Sequence, residues 1–121
     1  MAKKVLIVDD TAVVRKMIRS IYENEGWTVL EAEDGQQAVE IYKRIKPDLV
    51  TMDISMVQGD GITATQEIVK FDPKANIIMI SASSEKALVI KSMQAGAKGF
   101  LVKPIDTNKL LELTYKLVPE E

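Results

Sequence analysis

The chain has 121 residues, 46% of them hydrophobic and 28% charged, and a formal net charge of −2; these are the proportions of one globular domain around one core. It contains no cysteine and no histidine, which excludes disulfide frameworks, thiolate chemistry, Ser-His-Asp triads, phosphohistidine carriers and metals held by either residue. Its apolar runs are too short to span a membrane, its near-balanced charge argues against an electrostatic grip on nucleic acid, and its first apolar run meets Asp9-Asp10 rather than a signal-peptide cleavage pattern, so a cytoplasmic protein is expected.

Val5–Val8 reads as a first strand. In the segment after it, Val14, Met17, Ile18 and Ile21 fall at i, i+3, i+4, i+7 spacing, which predicts a helix burying that face, with Arg15, Lys16 and Glu23 on the others. Val29–Ala32 is the second apolar run, and Glu31 within it predicts an edge strand. Asp34 followed by Gln37 is a capping-box pattern opening a second helix, which buries Ala38, Ile41 or Tyr42, and Ile45, and is stopped by Pro47. Leu49–Met52 is a third strand, a helix is predicted over Ile62–Lys70, and Ile77–Ile80 is a fourth strand. The fourth helix covers Glu85–Gln94 and ends at Gly96. Phe100–Val102 is the fifth strand, and a last helix starts near Asp106, turning Leu110, Leu113 and Leu117 inward before Pro119. Five strand–helix alternations with short connections predict an α/β domain with a parallel sheet, of the flavodoxin-like strand order 2-1-3-4-5, filling residues 1–121 as a single unit without linker, repeat or output domain.

In such a sheet, ligands bind outside the carboxyl ends of the strands. There the first strand delivers Asp9 and Asp10, the third Asp53, the fourth Ser81 and the fifth Lys103-Pro104. Taken singly, each has an ordinary role: Asp10 or Thr11 as a helix cap, Asp53 as a solvated strand end, Ser81, Ser83 and Ser84 as caps, Lys103 as a surface lysine. Together they place three carboxylates, a hydroxyl and an ammonium in one shallow pocket. Converging carboxylates repel, and an all-oxygen donor set that needs a cation suits Mg2+, with Mn2+ as the second candidate. Asp53, already ionised, is then the nucleophile toward a phosphoryl group, with Lys103 and the Ser81 hydroxyl on the remaining phosphoryl oxygens.

With these residues in place, the chain resembles the receiver domains of two-component response regulators over nearly its whole length. The resemblance is carried by Val5-Leu6-Ile7-Val8-Asp9-Asp10, by Asp48 through Met56 with Gly61, by Ser81-Ala82, and by Ala95-Gly96-Ala97 leading to Phe100 and Lys103-Pro104. The stretch from Ala87 to Phe100 is similar to stand-alone chemotaxis regulators of the CheY type. The resemblance implies that Asp53 is the phosphoacceptor; that Asp10, Asp53 and the backbone carbonyl of Ser55 ligate the metal, with Asp9 acting largely through water; that Ser81 and Phe100 form the switch; and that the Lys103-Pro104 peptide is cis. For Phe100 a permanently buried aromatic is the alternative. The chain departs from many relatives at Val57, where proline is common, and at Gly59, where a bulky apolar residue is common, which predicts a more mobile loop after Asp53.

Two other functions fit less well. An aspartyl-phosphate phosphatase needs a second acid two positions after the nucleophile, where Ser55 stands, and a flavin carrier needs a neutral phosphate loop where Asp9-Asp10-Thr11 stands. The reading implies a histidine kinase as phosphodonor and an output protein docking on the face of the fourth helix, fifth strand and fifth helix, the flagellar motor switch among the candidates. It also implies a phosphatase as a further partner, no nucleic acid or membrane partner, and a monomer. Leu88 and Val89 are consecutive apolar residues of the fourth helix, so at least one is expected to lie partly exposed at the docking face, with plain core packing as the alternative for one of them. A phosphorelay intermediate, or a receiver cut from a larger regulator, is the alternative.

Overall fold

Strand and helix alternate five times in the computed structural model, which describes residues 2–56 and 61–120. The order is β1 (Lys4–Val8), α1 (Ala12–Asn24), β2 (Thr28–Ala32), α2 (Gly35–Ile45), β3 (Leu49–Asp53), α3 (Gly61–Phe71), β4 (Ile77–Ser81), α4 (Lys86–Gln94), β5 (Gly99–Val102) and α5 (Thr107–Leu117). All strands are parallel, in the order β2-β1-β3-β4-β5, as expected, and β2 with its Glu31 lies at an edge. β1 pairs Val8 with Ala32 on one side and with Met52 on the other. The chain reverses its winding direction at β1, so Asp9 and Asp53 emerge side by side where a crevice opens. No helix among the described residues is long and apolar enough to cross a membrane.

Period-two alternation along the strands sends side chains to two cores. Leu6, Val8, Val50, Met52, Ile77 and Met79 meet α2 and α3 on one face, with Leu88 of α4 and Phe100 against them. Val5, Ile7, Leu49, Ile78 and Ile80 meet Ile18, Tyr22 and Leu110 of α1 and α5 on the other. The capping box of α2 forms in both directions: the Gln37 N–H donates to Asp34 Oδ1 at 2.8 Å, and the Gln37 side chain accepts from the Glu33 N–H at 2.9 Å. At its other end Lys46, in the left-handed region at φ 51°, returns its N–H to the Tyr42 carbonyl, turning the chain into Pro47.

Two helix faces differ from the sequence expectation. Met17 is 48% exposed, and the buried row of α1 is Arg15, Ile18 and Tyr22. The row sits about one position further along than the apolar pattern indicated, because the Arg15 guanidinium is drawn in by the Asp9 carbonyl and by Glu31. Ile45 is also exposed, with Tyr42 holding the interior position on α2 and Ile41 half-buried. Ile45 is the last residue of α2 and is followed by the left-handed Lys46, so no further turn of the helix covers it. In α5 Leu110 is fully buried, with Leu113 and Leu117 half-buried against the same core. The expectations placed on Val57 and Gly59 lie outside the described residues.

At the pole away from Asp9 and Asp53, Trp27 packs on Tyr22 and Tyr115, with ring centroids 5.4 and 6.3 Å away. Trp27 lies five residues before Ala32 on the β2 side, roughly 16 Å along the sheet, so its fluorescence is a poor reporter of events at the acidic pole. Beneath it a buried hydroxyl pair links α1 to α5. Thr114 Oγ1 donates its single proton to the Leu110 carbonyl at 2.7 Å, so the Tyr22 hydroxyl is the donor in the 2.8 Å contact between them. Tyr22→Phe is therefore expected to cost about 1 kcal/mol, since it leaves Thr114 satisfied, whereas Thr114→Val strands a buried donor and costs about 2–3 kcal/mol. Urea midpoints of the two variants in the reverse order contradict this assignment of the proton.

Candidate functional site

β1 and β3 run out together, and each hands its last side chain to the same crevice. Asp9 follows β1 directly, and its N–H extends the ladder by one more bond to the Ala32 carbonyl at 3.2 Å. Its carboxylate is 2% exposed and is oriented by the Thr11 N–H, which donates to Oδ1 at 2.8 Å. Thr11 occupies the N-cap position of α1 but makes no capping bond with its own side chain. Asp10 stays exposed at the rim. Asp53 is the last residue of β3, 3% exposed, and its Oδ1 accepts from the Ser55 N–H at 3.2 Å. Asp9, Asp10 and Asp53 each present a carboxylate oxygen within 4.8 Å of the others.

Lys103 arrives from the end of β5, anchored by its own N–H to the Ser81 carbonyl at 2.7 Å. The Lys103-Pro104 peptide is cis, as the resemblance implied. The ammonium stands 3.3 Å from Asp9 Oδ2 and 3.6 Å from Asp53 Oδ1. Ser81 is buried at the end of β4, and its hydroxyl oxygen accepts the Ser83 N–H at 3.0 Å, which leaves its proton free to donate. Of the residues expected at the strand ends, Asp9, Asp10, Asp53 and Lys103 converge, while Ser81 meets Lys103 through its backbone carbonyl. Phe100 stands apart, half-buried beside Met79 on the α2–α4 face of the sheet.

Removing Asp53 from water pushes its carboxyl above the ordinary aspartate range, and the neighbouring charges of Asp9 and Asp10 push the same way. The Ser55 N–H and the Lys103 ammonium pull it back without cancelling the rise. The folded protein thus concentrates negative charge that a single lysine only partly offsets. An octahedral ion with ligands at about 2.0–2.1 Å sets opposite oxygens about 4.2 Å apart, a span that the three carboxylates accommodate. The hard, all-oxygen donor set fits Mg2+.

Sequence reasoning missed one residue of this region. Arg15, placed on an outward face by the apolar pattern, is 9% exposed and lies behind Asp9, donating to its backbone carbonyl. Glu31 on β2 was the available signal. A carboxylate inside a strand calls for a cation nearby, but Arg19, Lys43, Arg44, Lys16 and Lys46 all lie nearer to Glu31 in sequence than Arg15 does, so this signal did not single Arg15 out.

A family profile, the response regulator receiver domain, matches residues 5–115. The chain is a response-regulator receiver. This receiver is 52% identical over 117 residues to the chemotaxis protein CheY of Bacillus subtilis, covering 96% of its own length and 98% of the relative's. It is 48% identical over 118 residues to CheY of Thermotoga maritima, covering 97% and 98%. Among solved structures, the receiver is similar to a chain of the CheX-CheY-BeF3-Mg complex of Borrelia burgdorferi, with a TM-score of 0.91 and 40% identity, over 98% of this chain and 90% of that one. With relatives of this kind along nearly its whole length, the receiver is a CheY-like response regulator, a phosphorylation-activated signalling protein.

Proposed function

We propose that Asp53 accepts a phosphoryl group from a histidine kinase in a Mg2+-dependent step, and that the phosphorylated protein signals by docking to another protein, in chemotaxis. The observation that carries this reading is the convergence of Asp9, Asp10 and Asp53 within 4.8 Å beside the Lys103 ammonium. An Asp53 carboxylate oxygen attacks phosphorus in line. The bond from phosphorus to the donor breaks, its electron pair leaves with the donor, and an acyl phosphate remains on Asp53. Asp10, Asp53 and the Ser55 carbonyl would hold the ion, with Asp9 acting through water, and the ion would supply charge neutralisation for the phosphoryl oxygens. Lys103 sits on the side of Asp53 where it can pair with a second phosphoryl oxygen, and the Ser81 hydroxyl has a proton to give a third.

Signalling by docking, rather than turnover of a substrate, is supported by the spirochaete complex, in which a CheY is joined with CheX. The proposed output face is α4, β5 and α5. On it Leu88 and Val89 are both half-buried, so each is partly exposed, and the more exposed apolar residues are Ile90 at 46% and Met93 at 45% on α4, with Val102 on β5. Leu101, Leu113, Lys109 and Lys116 line a cleft beside them. The reading includes Ser81 and Phe100 as the residues that convert phosphorylation into a change of that face, and a cytoplasmic, monomeric protein.

Mg2+ with a small-molecule phosphodonor is expected to place one acid-stable, hydroxylamine-labile phosphoryl group on the chain. Mg2+ alone is expected to raise the melting temperature. At a hundredfold excess over the dissociation constant, binding to the folded state adds about 2.7 kcal/mol. Asp10→Lys puts an ammonium into the acidic crevice and is expected to remove that increment. A full Mg2+ shift in the variant contradicts the cation site.

A further inference from the structure

We propose that Arg15 is a positioning residue of the acidic centre, holding the Asp9–Asp10 peptide so that both carboxylates face the cation; this rests on the cation-site reading above. The paired registers of β1 end at Val8 on both sides, so the Asp9 carbonyl lies past the last rung and has no strand to accept from. Arg15, in the second turn of α1, fills the gap: Nη1 donates to that carbonyl at 2.7 Å. The peptides on either side are pinned too, the preceding one by the Asp9 N–H on the Ala32 carbonyl and the following one by the Thr11 N–H on Asp9 Oδ1. The Asp9 carbonyl and the Asp10 N–H belong to one planar unit, so fixing the carbonyl fixes the direction in which both side chains leave the strand end.

The guanidinium is itself held. Its Nε donates to Glu31 Oε1 at 2.8 Å, and Nη2 stands 3.7 Å from Glu33. The second oxygen of Glu31 is taken by Arg19 Nε at 2.7 Å, and Arg19 Nη1 reaches Glu23 at 2.9 Å. Arg15 uses the planar fork of its guanidinium to serve two acceptors in different directions, which a lysine ammonium on a flexible stem does not reproduce. The edge strand β2, which contributes no ligand, thereby takes part in the site through Glu31.

The sign of one measurement separates positioning from mere charge. A cation close to a Mg2+ site repels the ion, so an Arg15 that acted only through its charge would weaken binding, and its removal would tighten it. A residue that orients ligands does the opposite, and its loss costs about tenfold or more in metal affinity. Calorimetric titration of metal-free protein with Mg2+ is expected to show the dissociation constant of Arg15→Met raised about tenfold. Glu31→Gln, a milder variant for the case that Arg15→Met does not fold, is expected to show a smaller loss in the same direction. Unchanged or tighter Mg2+ binding in either folded variant overturns the proposal, whatever happens to the melting temperature.

A readout without metal keeps the proposal distinct from the cation-site reading. Amide exchange at Thr11, which donates to Asp9, is expected to accelerate in the metal-free Arg15→Met or Glu31→Gln protein while β4 amides stay protected. Unaltered Thr11 exchange overturns the positioning role even where Mg2+ binds. Mg2+ that fails to bind wild type at all refutes the cation site alone, and the Thr11 result then decides Arg15.

Discussion

Asp53→Asn is expected to abolish phosphoryl labelling and, in metal-free buffer at neutral pH, to make the protein more stable than wild type. Both effects come from one carboxylate. The amide lacks the ionised oxygen that attacks phosphorus. The stability effect follows from burial next to Asp9 and Asp10, which raises the Asp53 carboxyl above its ordinary value of 3.8. Between that ordinary value and the raised folded one, the native state holds more protons than the unfolded chain, so stability falls as pH rises through this window. The cost of the charge is complete above the folded pKa and absent below the unfolded one. The advantage of Asp53→Asn, read as a melting temperature, is thus expected at neutral pH and should fade as pH is lowered through the window. Undiminished labelling refutes the nucleophile, and a stability gain that persists at low pH refutes its electrostatic origin.

Gly61→Ala is expected to destabilise the fold by about 2–3 kcal/mol and to impair labelling as well. A Cβ at Gly61 runs into the Asp53 carbonyl oxygen and comes within 3.0 Å of the Asp53 carbonyl carbon and of Met52 Cγ. Two of these obstacles are backbone atoms at the end of β3, which cannot turn aside as a side chain can. The Gly61 N–H donates to the Ile54 carbonyl at 3.3 Å, so the start of α3 is drawn onto the strand whose last residue is the nucleophile. Relief requires moving the helix or the strand end, and either disturbs Asp53. Gly99→Ala is the control. The three atoms nearest its Cβ all belong to the Leu113 side chain, which can change rotamer, so a smaller loss is expected. Equal losses in the two variants, measured by chemical denaturation, count against the backbone clash.

The strand ends were legible because their chemistry and their place in the chain coincide. Asp9, Asp53, Ser81 and Lys103 each follow an apolar run, and parallel winding allows those ends only one pole. The start of α2 was equally plain, since Asp34 and Gln37 satisfy each other's neighbourhood locally and need nothing from the rest of the fold. Interior faces were less legible. The pattern at Val14, Met17, Ile18 and Ile21 reports which residues are apolar, while burial depends on what lies across the gap. Glu31 on a strand brought close only by folding gives Arg15 its inner place, and nothing near Arg15 in sequence announces it. Ile45 shows the same limit: it has the right period but stands exposed at the last position of α2. Similarly, the direction of the Tyr22–Thr114 bond depends on partners 92 residues apart.

The contact between Lys103 and Asp9 joins positions 94 residues apart, and the crevice also draws on β3 between them. No contiguous fragment much shorter than the whole chain contains all of its walls. Fraying that detaches β5 would take Lys103 away, and an opening that frees β1 would remove Asp9 and Asp10. A ligand seated there is therefore sensitive to nearly every large opening of the molecule, whereas a ligand on a single hairpin or helix pair would tolerate most of them. Occupancy of the crevice becomes a test of completeness: a nascent or partly unravelled chain cannot accept the signal, and only a finished molecule is competent to carry it.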